Sequence, residues 1–404
     1  MNNVKITDMD FQGRGIARID NVVTFVDNAL KGEIVDIEIT KKSKKFYEAK
    51  ATNIVKKSAK RVEPKCPYYQ ICGGCDLMHM DYQSALDFKK DKVKTTLKKF
   101  ANITPKIEEI IPSSELFEYR NKITFHVNND IGFFEKKTND FVKIDECLIC
   151  DDNINKLIKK LKKLDLENII NITIRVSKMT LEKMIIIETK KDIDVTPIDK
   201  AGSIYLKIKD KYIHKSGNKN IIEKMNDYVF YISPSSFFQV NTFTAIKLYD
   251  KVKEYASLTG EENVLDLYCG TGTIGLYLSD KAKKVYGIEI NEDAIKDANY
   301  NKKVNNVKNI EFYAMNANQF LSKVKDNIDV LIVDPPRGGL DKKTINSILK
   351  LSPKKIVYVS CDVATLSRDL NILKENYDIL KVTPVDMFPN TCHCESVSLL
   401  ERKN

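Results

Sequence analysis

Apolar residues near the N-terminus fall in short runs: Val22-Val23-Thr24-Phe25-Val26 reads as one strand, and Val35, Ile37 and Ile39 alternate with Asp36, Glu38 and Thr40 in another. Gly13-Arg14-Gly15 and Lys31-Gly32 supply turns, so residues 1–57 predict a small OB-like β-barrel, an architecture whose open face can take oligonucleotides. Lys41, Lys42, Lys44 and Lys45 follow the second strand. Such a run either touches phosphates or is a solvated face, and both readings stand. Between 81 and 100, Leu86, Val93, Leu97 and Phe100 fall on one helical face while Lys89, Lys90, Lys92, Lys94, Lys98 and Lys99 crowd the rest, which predicts a basic amphipathic helix. From 118 to 230, strands such as Ile123–Val127 and Met184–Ile187 surround one helix near 153–164, a sheet-rich middle region. After 245 the order becomes helix, apolar strand, glycine turn, helix, strand, the mark of a parallel sheet with covering helices. The fold class is therefore multidomain α/β, divided as 1–57, 58–230 with the cysteine cluster described below, and a Rossmann-like 231–404. Internal repeats and low-complexity linkers are absent from the sequence.

Composition narrows the setting. The 404 residues carry 66 Lys+Arg against 56 Asp+Glu, a formal net charge of +10, which is compatible with a polyanionic partner. No run of about 18 apolar residues occurs, and Met1-Asn2-Asn3-Val4-Lys5 lacks a signal-type apolar segment, so a cytoplasmic protein without membrane attachment is expected. Nine Cys are too sparse for a disulfide scaffold; clustered Cys in a reducing compartment bind metal or do chemistry. No feature of the sequence indicates an obligate protein partner.

The strand Asn263–Tyr268 ends in Cys269-Gly270-Thr271-Gly272-Thr273-Ile274-Gly275 and a helix follows. Glycines let a backbone approach a nucleotide, and a second strand, Lys284–Glu289, ends in an acid suited to ribose hydroxyls. Both a dinucleotide and S-adenosylmethionine satisfy that pattern. A third strand is followed by Asn316, placed for an adenine edge, and a fourth delivers Asp334-Pro335-Pro336-Arg337-Gly338-Gly339. An acid and two prolines there hold a polar loop over a methyl donor, a part that a dehydrogenase does not need. S-adenosylmethionine is therefore the expected cofactor.

Ile356–Ser360 is a buried-type strand, and Cys361 follows at its carboxyl end, where open α/β sheets keep reacting groups. An isolated Cys there would be a small hydrophobe finishing a strand. Glu395, just before a terminal apolar strand, gives it a partner. Four motifs now stand in order: Ser236-Phe237-Phe238-Gln239-Val240-Asn241, Asp334-Pro335-Pro336-Arg337, Ser360-Cys361 with Thr365-Leu366 and Arg368-Asp369, and Phe388-Pro389 with Thr391, His393 and Glu395-Ser396-Val397. Together they resemble the RNA uracil-5-methyltransferases, and the N-terminal barrel resembles the TRAM domain that many members carry. The resemblance implies Cys361 as the nucleophile that adds to uracil C6 and Glu395 as the base that removes the C5 proton. It implies Gln239, Tyr268, Glu289, Asn316 and Asp334 as contacts to S-adenosylmethionine. Asp362 and Val363 depart from the common Asn-Pro after the nucleophile, and Cys392 and Cys394 flank His393 where other residues are usual.

Cys66, Cys72 and Cys75 have the spacing Cys-x5-Cys-x2-Cys, with Gly73-Gly74 allowing a tight loop. Three thiolates need a fourth, and either Cys147 or Cys150 could complete a zinc or iron–sulfur site. The resemblance implies a 4Fe-4S cluster held by Cys66, Cys72, Cys75 and Cys147, structural or RNA-orienting in role. His79 reads as an ordinary packed or exposed histidine, Cys269 as a turn residue, and His393 as a residue placed to orient Glu395.

The whole reading is an RNA uracil-C5 methyltransferase. Members with both barrel and cluster more often resemble enzymes of 23S ribosomal RNA, which makes that the expected substrate, with transfer RNA the alternative. Arg337 and the basic helix are expected to touch RNA. An amino-group methyltransferase would also use Asp-Pro-Pro but places an aromatic where Arg337 stands, and would leave Cys361 idle. A non-catalytic, redox-sensing RNA-binding protein is the competing reading from another class.

Overall fold

A computed structural model describes every residue of the chain except Lys137, Asp199 and Lys325. The residues form two compact units: Met1–Lys92 with Phe133–Val142 and Asn390–Cys392, and Val93–Gly132 with Lys143–Pro389 and His393–Asn404. Residues 58–92 fall in the first unit and most of 93–230 in the second.

In the first unit six strands, Val4–Lys5, Asp8–Met9, Gly15–Ile19, Val22–Asp27, Ile34–Lys42 and Phe46–Lys56, form one sheet. The two short strands are its edges. Between them Ile6 donates to Glu33 O at 2.9 Å and Thr7 to Ile16 O at 2.8 Å, which joins the sheet's ends. Alternation sets the faces: Val35 and Ile37 turn inward onto Ile6, Ala17, Val26 and Ala49, while Asp36 and Glu38 turn outward. Lys41, Lys42, Lys44 and Lys45 are exposed at the end of this hairpin. Gly13 lies at φ +82°, and a Cβ there would stand 2.5 Å from Leu77, so glycine is what lets Leu77 seat in a small cluster with Leu30, Met80 and Ala85. The basic helix runs Tyr82–Thr96 and ends in a π turn over Leu97–Ala101. Leu86, Val93 and Leu97 are buried as the periodicity requires, but the extra residue of the π turn breaks the phase and Phe100 is exposed. Lys89, expected on the polar side, is buried.

The second unit holds two large sheets and the hairpin Ile221–Met225 with Tyr228–Ile232. In the first, Ile131–Phe134, Lys122–Val127, Ile169–Val176, Lys183–Thr189, Ser203–Ile208 and Lys211–Ser216 are neighbours in that order. The helix Asp152–Leu161 buries Ile154, Leu157, Ile158 and Leu161, and Asp151 caps it by accepting from Asn153 N. The second sheet has the order Ile310–Ala314, Lys284–Glu289, Asn263–Leu267, Val330–Val333, Lys355–Ser360, Glu395–Arg402, Tyr377–Val385, Lys106–Ile107. All its pairings are parallel except the two made by Glu395–Arg402. The chain winds outward one way from Asn263–Leu267 and the other way from Val330–Val333, so the strand order reverses between those two, which is where open α/β sheets bind ligands. Among the described residues, no helix is long and apolar enough to cross a membrane.

One ion pair anchors the first unit. Glu33 is fully buried, and both its oxygens receive Arg61: Nε at 2.6 Å and Nη2 at 2.8 Å. Burial alone would raise the Glu33 pKa, but Arg61 and the amides of Leu30 and Ser58 bring it below the ordinary carboxylate value. The pair's contribution is therefore present at neutral pH and lost as pH falls through that lowered value. Arg61→Ala leaves a buried carboxylate without its partner and should cost about 3–5 kcal/mol, read by denaturant unfolding at pH 7. A much smaller loss would mean that water or another cation reaches Glu33.

Candidate active site

The glycine turn begins with strain. Tyr268, at the carboxyl end of its strand, has φ +65°, a left-handed conformation that a bulky side chain adopts only where the surroundings impose it. Gly270 at +54° and Gly272 at +79° continue the turn. Cβ atoms at Gly272 and Gly287 would stand 2.5 Å and 2.4 Å from the Phe312 ring, so these two positions are small because Phe312 fills the space beneath. A Cβ at Gly270 would meet nothing within 4 Å: that backbone faces open space. Glu289 accepts the Gly270 amide at 3.3 Å and the Asn291 amide at 2.9 Å, which fixes its carboxylate at the rim of the opening. Asn316 is exposed at the next strand end, where it caps Ala317–Leu321. Met315 N donates to Glu289 O at 2.9 Å, tying these two strand ends together. Asp334 N reaches Leu267 O at 3.5 Å across the point where strand order reverses. Tyr268, Glu289, Asn316 and Asp334 thus occupy the carboxyl ends of adjacent parallel strands.

Gln239 comes from the loop that leads into the helix Thr242–Ala256. It is 7% exposed, and its carbonyl accepts Asn121 Nδ2 at 3.1 Å. Asn241 caps the helix through Thr244 N and also donates to Ser113 Oγ and Met387 O, both at 3.1 Å. Ser236 Oγ donates to Asp297 at 2.7 Å. The loop is fixed at both ends, Phe238 packs inward on Phe230, and Phe237 projects outward with 62% exposure.

Asp266 sits beneath the turn with Oδ2 on Gly275 N at 2.9 Å, while Oδ1 is buried without a partner. Burial, with Asp334 and Glu289 adding to it, pushes its pKa up to about 8. A strained glycine turn facing open space, a ribose-type acid at its rim and an orphaned buried carboxylate oxygen fit S-adenosylmethionine, whose amino acid and ribose supply donors and whose sulfonium supplies positive charge.

Cys361 lies half-buried one residue past its strand. Register brings the base to it: Ser360 pairs with Ser396 across an antiparallel ladder, so the carboxyl end of the Cys361 strand meets the amino end of the Glu395 strand. Asp362 caps the following helix, accepting Ala364 N and Thr365 N at 2.9 Å. An Asp caps as well as an Asn, and Val363 at the first helical position replaces a Pro whose missing N–H would be unused there. The departure from Asn-Pro therefore leaves the turn capped.

The same helix holds the Asp334 loop. Thr365 Oγ1 donates to Arg337 O at 3.2 Å, and Arg368 Nη2 donates to Gly338 O and Leu340 O at 2.9 Å. Asp369, fully buried, receives Leu340 N at 2.8 Å and Tyr358 OH at 2.7 Å. Gly339 is at φ +70°, and a Cβ would stand 2.6 Å from the Asp369 carboxylate. Thr365, Arg368 and Asp369, read from sequence only as part of a motif, are the clamp that joins the thiol's helix to the acid's loop.

Charge in this region is one-sided. Burial pushes the Glu395 carboxyl up to about 8, with Asp334 adding to the rise and Arg337 opposing it. Burial lifts Asp334 to about 6. The Cys361 thiol is raised to about 11 by burial, Glu395 and Asp334, again against Arg337. Arg337, exposed at the loop tip, is the cation that favours both thiolate and carboxylate. Sequence reading took it for an RNA contact and missed this electrostatic effect, which only the clamped loop makes possible.

Other expectations resolve locally. Cys269 is buried in the turn with its thiol pushed up by burial, as a turn residue requires. His393 is exposed, with its ring edge-on to Phe388. His79 is buried, with Nδ1 2.5 Å from Tyr69 OH. None of the nine cysteines is in a disulfide. Cys66, Cys72 and Cys75 lie on a loop of successive turns, where Tyr69 N donates to Cys66 O and Cys72 N to Tyr68 O. Cys150 N donates to Cys147 O, and a hydrogen bond from Cys150 lowers the Cys147 thiol pKa. The thiol chemistry suits a soft metal centre, but among the described residues no group of three or more His, Cys, Asp or Glu is arranged to hold a metal ion.

Comparison with known proteins gives a consistent answer. The profile of the family described as tRNA (Uracil-5-)-methyltransferase matches residues 173–403, and that of the TRAM domain matches residues 2–52. A Clostridium tetani protein called an uncharacterized RNA methyltransferase is 38% identical over 440 residues, covering 98% of this chain and 95% of its own. One of the same description from Staphylococcus aureus strain MSSA476 is 36% identical over 449 residues, covering 100% and 99%. The crystal structure of Pyrococcus abyssi tRNA (uracil-54, C5)-methyltransferase in complex with S-adenosyl-L-homocysteine superposes with a TM-score of 0.81 at 30% identity over 99% of each chain. A family profile over more than half of the chain, and relatives alike from end to end, make it a TRAM-containing member of the tRNA (uracil-5-)-methyltransferase family, the S-adenosylmethionine-dependent RNA uracil-C5 methyltransferases.

Proposed function

We propose that the chain methylates C5 of a specific uridine in RNA through a transient covalent bond from Cys361. The observation that carries this is the Ser360–Ser396 register, which sets a thiol and a buried carboxyl at adjoining strand ends. Uracil C5 is a weak nucleophile. The Cys361 thiolate adds to C6, its electron pair forming the C6–S bond while the C5=C6 π pair is displaced toward O4, giving an enolate whose C5 is electron-rich. S-adenosylmethionine, when bound, supplies an electrophilic methyl group. C5 then carries both a hydrogen and the new methyl; Glu395 removes the hydrogen as a proton, and the C6–S bond breaks to release the thiolate. Gln239, Tyr268, Glu289, Asn316 and Asp334 line the cofactor side, and Phe237, projecting beside Gln239, offers a ring face on which an unstacked base can rest.

Burial and the neighbouring carboxylates raise the Glu395 and Cys361 pKa values. A bound sulfonium favours the ionised forms of nearby groups, so the base and nucleophile become active when the methyl donor is present.

For the substrate we favour 23S ribosomal RNA, on the resemblance that links a TRAM barrel with the cysteine set. Transfer RNA is the second reading, favoured by the Pyrococcus abyssi match. Mapping 5-methyluridine in ribosomal and transfer RNA from cells with and without this protein decides between them. The cysteine set Cys66, Cys72, Cys75 and Cys147 is proposed to hold a 4Fe-4S cluster and the chain to work in the cytoplasm. Anaerobically purified protein should contain about four iron atoms per chain with thiolate-to-iron absorbance. Stoichiometric zinc without iron would refute the cluster.

Two variants test the chemistry. Cys361→Ala should abolish methyl transfer and crosslinking to 5-fluorouridine-containing RNA while S-adenosylhomocysteine affinity, by calorimetry, stays within about twofold. Retained turnover would remove the covalent step. Glu395→Gln should still add to RNA but accumulate a protein–RNA adduct stable on denaturing gels. It carries a stability signature too. Between pH 4.5 and about 8 the folded protein keeps a proton on Glu395 that the unfolded chain has lost, so this group's contribution to stability falls as pH rises through that window. Glu395→Gln should therefore raise Tm over wild type by more at pH 8.5 than at pH 5, and an equal shift at both would show that the carboxyl is not buried in solution.

A further inference from the structure

Beside the Ser236–Asn241 loop, three cations meet with no ion pair to any of them among the described residues. Arg175 on Ile169–Val176 and Lys122 on Lys122–Val127 are directly paired across an antiparallel ladder, so their side chains leave the same face of the sheet, and Arg120, two residues before Lys122, is near enough to act on its charge. Like charges directly opposite each other on a ladder are destabilising. Among the described residues, no carboxylate lies within ion-pair distance of any of the three. Arg175 is 4% exposed; Nη2 donates to Ser236 O at 3.1 Å, but Nη1 is buried and has no hydrogen-bond partner. Arg120 uses Nε on Lys122 O at 3.0 Å. The acids facing Arg175, Asp297 and Glu223, are engaged elsewhere: Asp297 by Ser233 N and Ser236 Oγ, and Glu223 by Ser177 Oγ, the Lys178 and Met179 amides and Thr242 Oγ1.

The cluster adjoins the loop Ser236–Asn241. Arg175 holds Ser236 O, and Asn121, between Arg120 and Lys122, donates its amide to Val240 O at 2.8 Å and its side chain to Gln239 O and Thr242 Oγ1. Beyond Lys122 the same face continues as polar side chains, Thr124 and Thr173 hydrogen-bonded at 2.8 Å and open to solvent, while the opposite face buries Phe125, Ile172 and Ile174. A two-faced sheet whose polar side leads into unpaired cations is a track for a polyanion.

We infer that Arg120, Lys122 and Arg175 form a phosphate-binding site for the RNA backbone, set against the Ser236–Asn241 loop so that the strand is anchored beside the nucleotide that enters the pocket. This rests on the reading of the chain as an enzyme acting on RNA and names where that RNA is held. Lys122 is the adaptable member: burial, then Arg175 and Arg120, push its ammonium down to about 7, and Arg175 is brought to about 10 by burial. Both are short of the negative charge that a phosphate brings.

Lys122→Gln isolates the effect, because Lys122 is only half-buried and removing it relieves repulsion. Its Tm should rise above wild type. Affinity for two probes, an unmodified transfer RNA transcript and a 23S ribosomal RNA fragment, is measured at pH 6.5 over a salt series. Affinity should fall about tenfold, and the slope of log K against log salt should shrink by about 1. Lys122→Arg should restore both, and S-adenosylhomocysteine affinity should not move. Unchanged RNA affinity and slope would overturn the site. So would loss of S-adenosylhomocysteine binding with RNA binding intact, since the cations would then hold the cofactor's carboxylate. Binding is read without turnover, so a wild-type protein that binds RNA in this salt-dependent way but transfers no methyl group would defeat the uracil-C5 reading and leave the phosphate site standing.

Discussion

The site depends on one strand that runs antiparallel to both its neighbours in a sheet whose other pairings are parallel. Parallel strands all deliver their carboxyl ends to one edge, which suits the glycine turn, Glu289 and Asp334, but it cannot place a residue from the start of a strand there. The strand Glu395–Arg402 runs the other way, so its first residue arrives at the edge where Cys361 leaves its own strand. A slip of one residue would turn Glu395 to the other face of the sheet. The flanking pairs Val359–Val397 and Val385–Glu395, on buried apolar strands, make that slip costly.

Charge follows from that packing. Asp266, Asp334 and Glu395 are brought together in a region from which most water is excluded, and Arg337 is the cation that opposes their repulsion at Glu395 and the thiol. Raised acids and a raised thiol describe a pocket short of positive charge. A cationic methyl donor meets that need, and its neutral product does not. The same electrostatics that favour binding of the sulfonium therefore weaken the hold on the demethylated cofactor after transfer. The clamp of Thr365, Arg368 and Asp369 matters here because it keeps Arg337 and Asp334 on one fixed loop, so neither can move away to relax the imbalance.

Much of this was legible in the sequence, for identifiable reasons. Val35, Ile37 and Ile39 alternate with polar residues because a strand with one wet face must. Cys361 and Glu395 stand out because each follows or begins an apolar run at a motif position, and the ladder register sets them at adjoining strand ends. The rest depended on distance along the chain. Lys106–Ile107 joins the far edge of the large sheet beside Tyr377–Val385 through two residues, too few to show a period. Phe100 left its expected face because a π turn shifted the helix phase, and no local pattern announces such a turn. Lys122 and Arg175 are ordinary basic residues in sequence; only the ladder register sets them opposite one another.

The Ser236–Asn241 loop touches both the cation cluster and the segment leading to the Glu395 strand. On the proposed function Gln239 faces the anionic pocket, while the Ser236 and Gln239 carbonyls are held by Arg175 and Asn121, next to cations without an ion pair. Two regions of opposite charge deficit thus share one short rigid segment, and each would destabilise the free protein less if it were filled. An RNA strand anchored on the cationic side brings its base toward the pocket, and a methyl donor on the other side makes that pocket receptive. Because Asn241 fixes the loop to the helix start and to Met387, just upstream of the Glu395 strand, neither partner can be displaced without disturbing the position of the other. Fixed backbone contacts of this kind hold the two regions in one set relation to the loop.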